Sequence, residues 1–230
     1  MLTCPVCGEP NDDFLVVCTS CKGFIQSRVD TLDLFRTSWG MLESPKSTLH
    51  RIAIARYKNF WIFLSAVFGV GATYAILWYG NMGARLGGLG SCLAIGVLLG
   101  PVLGVAFVVL ASMTTRLISQ LLGGRSTQRT TMAVLAYSMV PIAISVVLVF
   151  PVEVAVFGKF LFDQNPPPQV IDYAAYVTLV AMDAILALWS LVLMCVGIQV
   201  THRMTWGRAF VSFLSIPALA LGILMLGIRI

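Results

Sequence analysis

Long apolar blocks alternate with short polar loops along most of this chain. Five blocks stand out, at about Phe60–Gly80, Leu89–Met113, Met132–Val152, Ala174–Val200 and Ala209–Ile228. Each meets the requirement of about 20 residues for a helix that crosses the hydrocarbon of a bilayer. The second and fourth are long enough to tilt or to extend beyond it. Ahead of the blocks the pattern changes. In "TLDLFRTSWGML", Leu32, Phe35, Trp39 and Leu42 recur at three- and four-residue spacing, making one apolar helical face with Asp33, Arg36 and Thr37 pointing away. Pro45 then suits the first turn of a second helix. That segment, "KSTLHRIAIARYKNF", sets Lys46, Arg51, Arg56 and Lys58 around Leu49, Ile52 and Ile54. Both stretches read as amphipathic helices at the bilayer interface; a solvated linker with incidental helicity is the bland alternative.

Composition agrees with the blocks. The chain is 58% hydrophobic and only 11% charged, with a mean hydropathy of +0.90, whereas soluble domains carry about 25% charged residues. The net charge of +5 is therefore read through topology. Arg116, Arg125 and Arg129 lie between blocks two and three, and Arg203 and Arg208 between four and five. The opposite loops hold Arg85 and Lys159 beside Asp163 and Asp172. With the basic 46–58 segment, the excess of Lys and Arg on cytoplasmic loops places the N-terminus in the cytoplasm. Five spans then put Ile230 outside, across a plasma (inner) membrane. The first apolar block starts too late and runs too long for a cleavable signal peptide. No nucleic-acid motif is visible, and no nucleic-acid partner is expected.

Cys4, Cys7, Cys18 and Cys21 form two C-x-x-C pairs separated by ten residues. Each pair can sit on one tight turn, within reach of a single tetrahedral ion at about 2.3 Å per zinc–sulfur bond. Gly8 and Gly23 follow the pairs, where the turn must reverse with positive φ. Phe14–Val17 reads as a short strand with Phe24-Ile25 beginning its partner. This resembles a zinc ribbon. The alternatives are a redox dithiol, which usually comes singly near a βαβ pattern absent here, and an iron site. A segment this short cannot fold on its own apolar burial, whereas structural zinc contributes about 10–16 kcal/mol in finger peptides. The expected cofactor is structural Zn2+, with four protein ligands and no open position for catalysis. The expected fold class is all-α polytopic membrane protein: a small β zinc ribbon at 1–27, an amphipathic juxtamembrane linker at 28–59, and five transmembrane helices within 60–230.

Within the spans, Gly96, Gly100 and Gly104 lie four apart on one face of helix two. Such spacing lets another backbone approach closely, from within the chain or from a second copy in a homo-oligomer. Pro101, Pro141, Pro151 and Pro217 add breaks or kinks whose freed carbonyls need partners in protein rather than lipid. Asp183 is the acidic residue well inside a span, where an ionised carboxylate costs about 2.5–3.5 kcal/mol on insertion scales. It is the best intramembrane functional candidate, with a satisfied structural carboxyl as the competing reading. Glu153, where helix three meets the outer surface, is a second candidate or simply solvated. Cys92 and Cys195 read as apolar packers, and His202 as an interfacial polar cap. There is no H-E-x-x-H, no G-x-S-x-G and no phosphate loop with its Lys, so no enzyme is expected.

The stretch "LLGGRSTQRTTMAVLAYSMVP" resembles the YIP (Ypt/Rab-interacting protein) family membrane domain in Gly123, Gly124, Tyr137, Ser138 and Pro141. "WSLVLMCVGIQVTHRMTWGRAF" resembles the family's fourth helix and following loop at Trp189, Gly197, His202 and Arg208-Ala209, and "SPKSTLHRI" its lead-in. The resemblance spans about residues 40–230. It implies five membrane helices with a cytoplasmic N-terminus; eukaryotic members are tied to small GTPases and vesicle traffic, while a ribbon fused in front is similar to prokaryotic members. It names no GTPase contact in this sequence. The expected function is a non-enzymatic membrane adaptor or organiser, its ribbon docking a cytoplasmic protein partner while the helices hold the lipid bilayer. The alternative is a small-substrate permease or channel using Asp183, Glu153 and the proline-broken helices.

Overall fold

The computed structural model describes residues 2–12, 14–26 and 29–228, with side chains as far as Gly222. The expectation for Ile230 therefore lies outside the described residues. At the front, β1 (Leu2–Thr3) pairs antiparallel with β2 (Pro10–Asn11), Leu2 opposite Asn11. The strand expected at Phe14–Val17 is reduced to one bridge, Val17 to Phe24, and to the Ile25 N–H donating to the Val16 carbonyl at 2.9 Å. Two knuckles this close leave no length for a ladder.

Two short helices follow, α1 (Leu34–Glu43) and α2 (Pro45–Ile54). Asp33 caps α1 by accepting from the Arg36 N–H at 2.7 Å, and Pro45 opens α2 as its fixed φ favours. The pair does not lie free on the bilayer surface. Thr37, Met41, Leu49 and Ile52 are buried, the last three against Ala133, Val134, Tyr137 and Leu193 of the bundle. Phe35 and Trp39, expected to share the apolar face, point outward, 84% and 68% exposed, while Thr37 turns in. Gly40 fixes this choice: it crosses so near Thr48 that a Cβ would collide with that side chain, which closes the hairpin on the side carrying Thr37 and Met41. Lys58, expected among the basic residues of an interfacial helix, turns its ammonium back on α2. It donates to the carbonyls of Ile52, Ala53 and Ala55 at 2.8, 3.0 and 3.0 Å, supplying partners that a helix C-terminus otherwise lacks.

The bundle comprises α3 (Trp61–Tyr79), a turn of helix α4 (Gly83–Leu86), α5 (Leu89–Leu121), α6 (Gln128–Ser138), α7 (Val140–Ile144), α8 (Phe150–Phe157), α9 (Pro168–Ile171), α10 (Tyr173–His202), α11 (Trp206–Phe213) and α12 (Ser215–Ile228). Among the described residues, four helical stretches are long and apolar enough to cross a membrane: Trp61–Tyr79, Leu89–Leu121, Val140–Phe160 and Tyr173–His202. The 33 residues of α5 and 30 of α10 rise about 50 and 45 Å at 1.5 Å per residue, well beyond a hydrocarbon core of about 30 Å. The third block departs from a simple span. Its helix begins at Gln128, breaks at Met139 before the buried Pro141, and widens into a π-helical turn at Ser145–Val149 ahead of Pro151. The fifth block divides at Leu214, three residues before Pro217, and its described apolar part, Trp206–Gly222, falls short of a span. Pro168 opens α9, ending the extended run expected of the three prolines.

The tightest seam joins α3 to α5. A Cβ on Gly69 would overlap the Gly100 carbonyl, one on Gly104 the Ser65 carbonyl, and one on Gly96 the ring of Tyr74. Gly96, Gly100 and Gly104 therefore serve packing within the chain. The glycine face is filled by α3, the within-chain use of the two expected for it. Gly100→Ala should lower resistance to unfolding in an SDS titration by about 1–3 kcal/mol, the usual cost of overpacking, because its Cβ would lie 2.7 Å from the Val70 Cα. Gly90→Ala, with nothing within 4 Å of its Cβ, should be neutral or stabilising; equal losses in the two variants would refute the seam.

Candidate metal centre and intramembrane cavity

The four N-terminal cysteines converge. The sulfurs of Cys4, Cys7, Cys18 and Cys21 all lie within 4.8 Å of one another, with Cys4 to Cys21 and Cys7 to Cys18 each at 3.6 Å. Tetrahedral bonds of about 2.3 Å imply sulfurs a little under 4 Å apart, so this cluster could hold one metal ion. The turns behind it are backbone-locked: Gly8 N–H donates to the Cys4 carbonyl at 3.0 Å and Cys18 N–H to the Gly23 carbonyl at 2.8 Å. Gly8 has the expected positive φ of 74°, but at the second knuckle the left-handed residue is Lys22, not Gly23. Gly23 is small for another reason: a Cβ there would press on Val6 and the Cys21 sulfur at 3.2 and 3.3 Å.

Charge at the cluster follows its hydrogen bonds. Backbone N–H groups of Cys21 and Ser20, aided by the Asn11 amide at 3.3 Å, pull the Cys18 thiol down to about 6. Cys4 is lowered by the N–H groups of Cys7 and Val6. The Gly23 N–H favours a thiolate on Cys21 too, yet the neighbouring sulfurs push it up to about 12. Four thiolates repel one another at these separations, and a cation among them removes the conflict. Asn11 was not legible as part of this site. It is buried, and it also accepts from the Thr19 N–H and hydroxyl at 3.0 Å each.

The N-terminal cysteine knuckle is seated on the bundle at the end bearing the Arg203 loop. Arg203 pairs with Asp12, holding its carboxyl below the usual range, and places its guanidinium 4.4 Å from the ring centroid of Phe14. Phe14 in turn lies 4.8 Å from the His50 ring. Both partners of the ion pair are more than a third exposed, so the pair itself contributes at most about 1 kcal/mol.

Asp183 and Glu153, separate expectations from the sequence, line one cavity of about 420 Å³ between α3, the α7–α8 segment and α10. Ser145 joins them, its hydroxyl donating to the Asp183 carboxylate at 2.5 Å. Ser145 opens the π-helical turn; the extra residue of such a turn re-aims side chains, and π turns gather at functional sites. No periodicity in the sequence marks it.

The family model for the Yip1 domain matches residues 39–228. The chain belongs to the Yip1 domain family. Neither a curated protein nor a solved structure matches it. The match thus begins inside α1 and covers α2 and the helices after it, and the cysteine cluster lies ahead of it. The residues singled out by the sequence resemblance fall in three places. Gly123, at φ 88°, ends α5; the Gly124 N–H then donates to the Ser119 carbonyl at 2.7 Å and the Arg125 N–H to the His202 carbonyl at 3.2 Å. A Cβ on Gly124 would crowd Ser119, Met204 and His202. His202 is no surface cap: it is buried, with its Nε2 3.2 Å from the Thr131 hydroxyl. The two glycines and the histidine of the Yip1 domain thus clasp the end of α5 to the end of α10. Tyr137 and Pro141 are buried elsewhere, Tyr137 donating to the Asn59 carbonyl at 3.1 Å. Trp189 stands apart, 40% exposed on α10. Cys92 is fully buried among apolar side chains, as a packer should be.

Groups that orient a metal ligand from behind typically cost 10–100-fold in affinity when removed. Asn11→Ala should therefore weaken metal binding by about that factor while leaving the ligand set intact, measured by competition with a chromophoric chelator. An unchanged affinity would remove Asn11 from the site. Cobalt loaded into the wild type should give the visible spectrum of a tetrahedral tetrathiolate.

Proposed function

We propose that this Yip1-family membrane protein is a non-enzymatic adaptor whose N-terminal zinc ribbon is a cytoplasmic docking module. Cys4, Cys7, Cys18 and Cys21 are its zinc ligands, and the metal is structural. The observation that carries this reading is the closed sulfur cluster on an independent knuckle ahead of the family domain, seated on the bundle through a few surface contacts. Val6 and Phe24 remain exposed on it at 72% and 63%, apolar area that a partner can cover. The basic loops with Arg125, Arg203 and Arg208 cluster near the ribbon's end of the helices: Arg203 holds Asp12, the Arg125 N–H reaches the His202 carbonyl, and Arg208 reaches the Leu122 carbonyl. That supports a cytoplasmic N-terminus in the plasma (inner) membrane under the positive-inside rule, with α11 and α12 together as a fifth, broken crossing that carries the C-terminus outside.

The cavity shared by Asp183 and Glu153 favours a second reading, a permease or channel for a small substrate. Transporters build midplane sites from broken helices, and here two partly buried carboxyls lie beside one. No repeat of the kind that builds alternating access is visible, so the adaptor is preferred.

Crosslinked co-purification from native membranes separates the two. A cytoplasmic protein should be recovered with the wild type and lost with the Cys18→Ser, Cys21→Ser double variant at equal expression. An identical set of partners in both, with the variant still inserted, would leave the ribbon a fold stabiliser. For the second reading, Asp183→Asn should abolish flux in reconstituted vesicles while the bundle still assembles; equal flux rules it out.

A further inference from the structure

The cavity has a chemistry of its own. Its volume of about 420 Å³ falls within the range of about 300–1,000 Å³ usual for small-molecule pockets. Asp183 lies ten residues into α10 from Tyr173, about 15 Å along the helix, so the cavity is within the apolar part of the bundle. Two carboxyls line it, and among the described residues no Lys, Arg or His does. Much of the wall is aromatic. Tyr74 stacks on Phe150 with centroids 4.2 Å apart and planes at 9°, and Phe162 tilts against both. The Tyr74 hydroxyl is committed to the Leu93 carbonyl at 3.1 Å, on the neighbouring helix α5.

Three occupants can be weighed against this wall. A hard divalent ion wants six or more oxygens, and two carboxyls with one hydroxyl already bound to Asp183 do not supply them. A neutral apolar molecule would leave the carboxyls uncompensated in a setting where an unpaired charge is expensive. A cation carried on an apolar body answers both features, since carboxylates pair with its charge and aromatic faces attract it further when water is excluded. We propose that this cavity binds a lipophilic organic cation, an ammonium group on an apolar body. Asp183 is its counter-charge, positioned by the Ser145 hydroxyl, and Glu153 lines the cavity beside it. The inference deepens the second reading above by naming a ligand class, but it concerns occupancy rather than passage. Ammonium groups of this kind reach a membrane protein as free amphipathic amines or as lipid headgroups.

The test uses the full chain purified in neutral detergent, with benzyltrimethylammonium as the probe and its carbon isostere neopentylbenzene as the neutral competitor. Saturable binding of the cation is expected, with the isostere weaker by about tenfold or more, the factor that 1.4 kcal/mol represents. The Asp183→Asn, Glu153→Gln double variant should lose affinity by a similar factor. Ala184→Trp leaves both carboxyls in place but fills a position on the cavity wall, and it should block the probe. Equal affinity for cation and isostere in the wild type overturns the proposal, as does unchanged binding in the double variant. If the double variant does not assemble, the isostere comparison and Ala184→Trp still decide, and unhindered binding in Ala184→Trp overturns it. Nanodiscs without net surface charge then separate the sources: weaker probe binding in phosphatidylethanolamine than in an uncharged glycolipid assigns the site to a headgroup, and equal binding to a free amine. Binding without flux in vesicles keeps this inference and sinks the passage reading.

Discussion

Everything in the helical domain is built around the contact between α3 and α5, where two backbones touch with no side chain between them. In a bilayer the solvent offers no hydrophobic drive for two helices to meet, so packing and close approach must supply the affinity. Gly69 against Gly100 and Gly104 gives that approach, and it fixes α3 along much of its length. What α3 then presents on its other side becomes the wall of the cavity, with Tyr74 shared between the two: its ring covers Gly96 and stacks on Phe150. Seam and cavity are two faces of one helix placement.

The sequence carried the broad plan because hydrophobic runs and cysteine spacing are local signals. Four cysteines in two tight pairs have one economical arrangement, and the sulfurs adopt it. The i, i+4 glycines announced a close approach, although not to which helix; only the position of Gly69 answers that. Asp183 and Glu153 stood out as acidic residues in apolar blocks, but their meeting depends on how α8 and α10 are rotated, and that rotation is set by the π-helical turn at Ser145–Val149. A one-residue insertion of this kind leaves no trace in a periodic reading. The α1 face was misjudged for a related reason: spacing defines a stripe, and it was Gly40 crossing Thr48 that chose which stripe went inward.

Residues that the family resemblance singled out prove to be joints rather than a site. Gly123, Gly124 and His202 tie helix ends together, and Tyr137 bolts α6 to the chain entering α3. Such residues keep the frame in register while the cavity wall and the N-terminal knuckle are free to differ. Lys58 belongs with them, a charged side chain spent on closing a helix.

The seat of the N-terminal cysteine knuckle on Arg203 and His50 has a consequence for how that head behaves. An exposed ion pair and one cation–π contact are worth about 1 kcal/mol each at most, too little to hold a free ribbon at any cellular concentration. The covalent join alters the arithmetic, because a short tether supplies an effective concentration in the millimolar range. Contacts of about 2 kcal/mol correspond to a dissociation constant of tens of millimolar, so proximity raises the occupancy of the seat without saturating it, and the head is a latch that opens readily. A soluble competitor need not be a strong binder to lift it, and the occupancy of the seat should follow ionic strength, since salt screens the Asp12–Arg203 attraction and leaves the tether untouched.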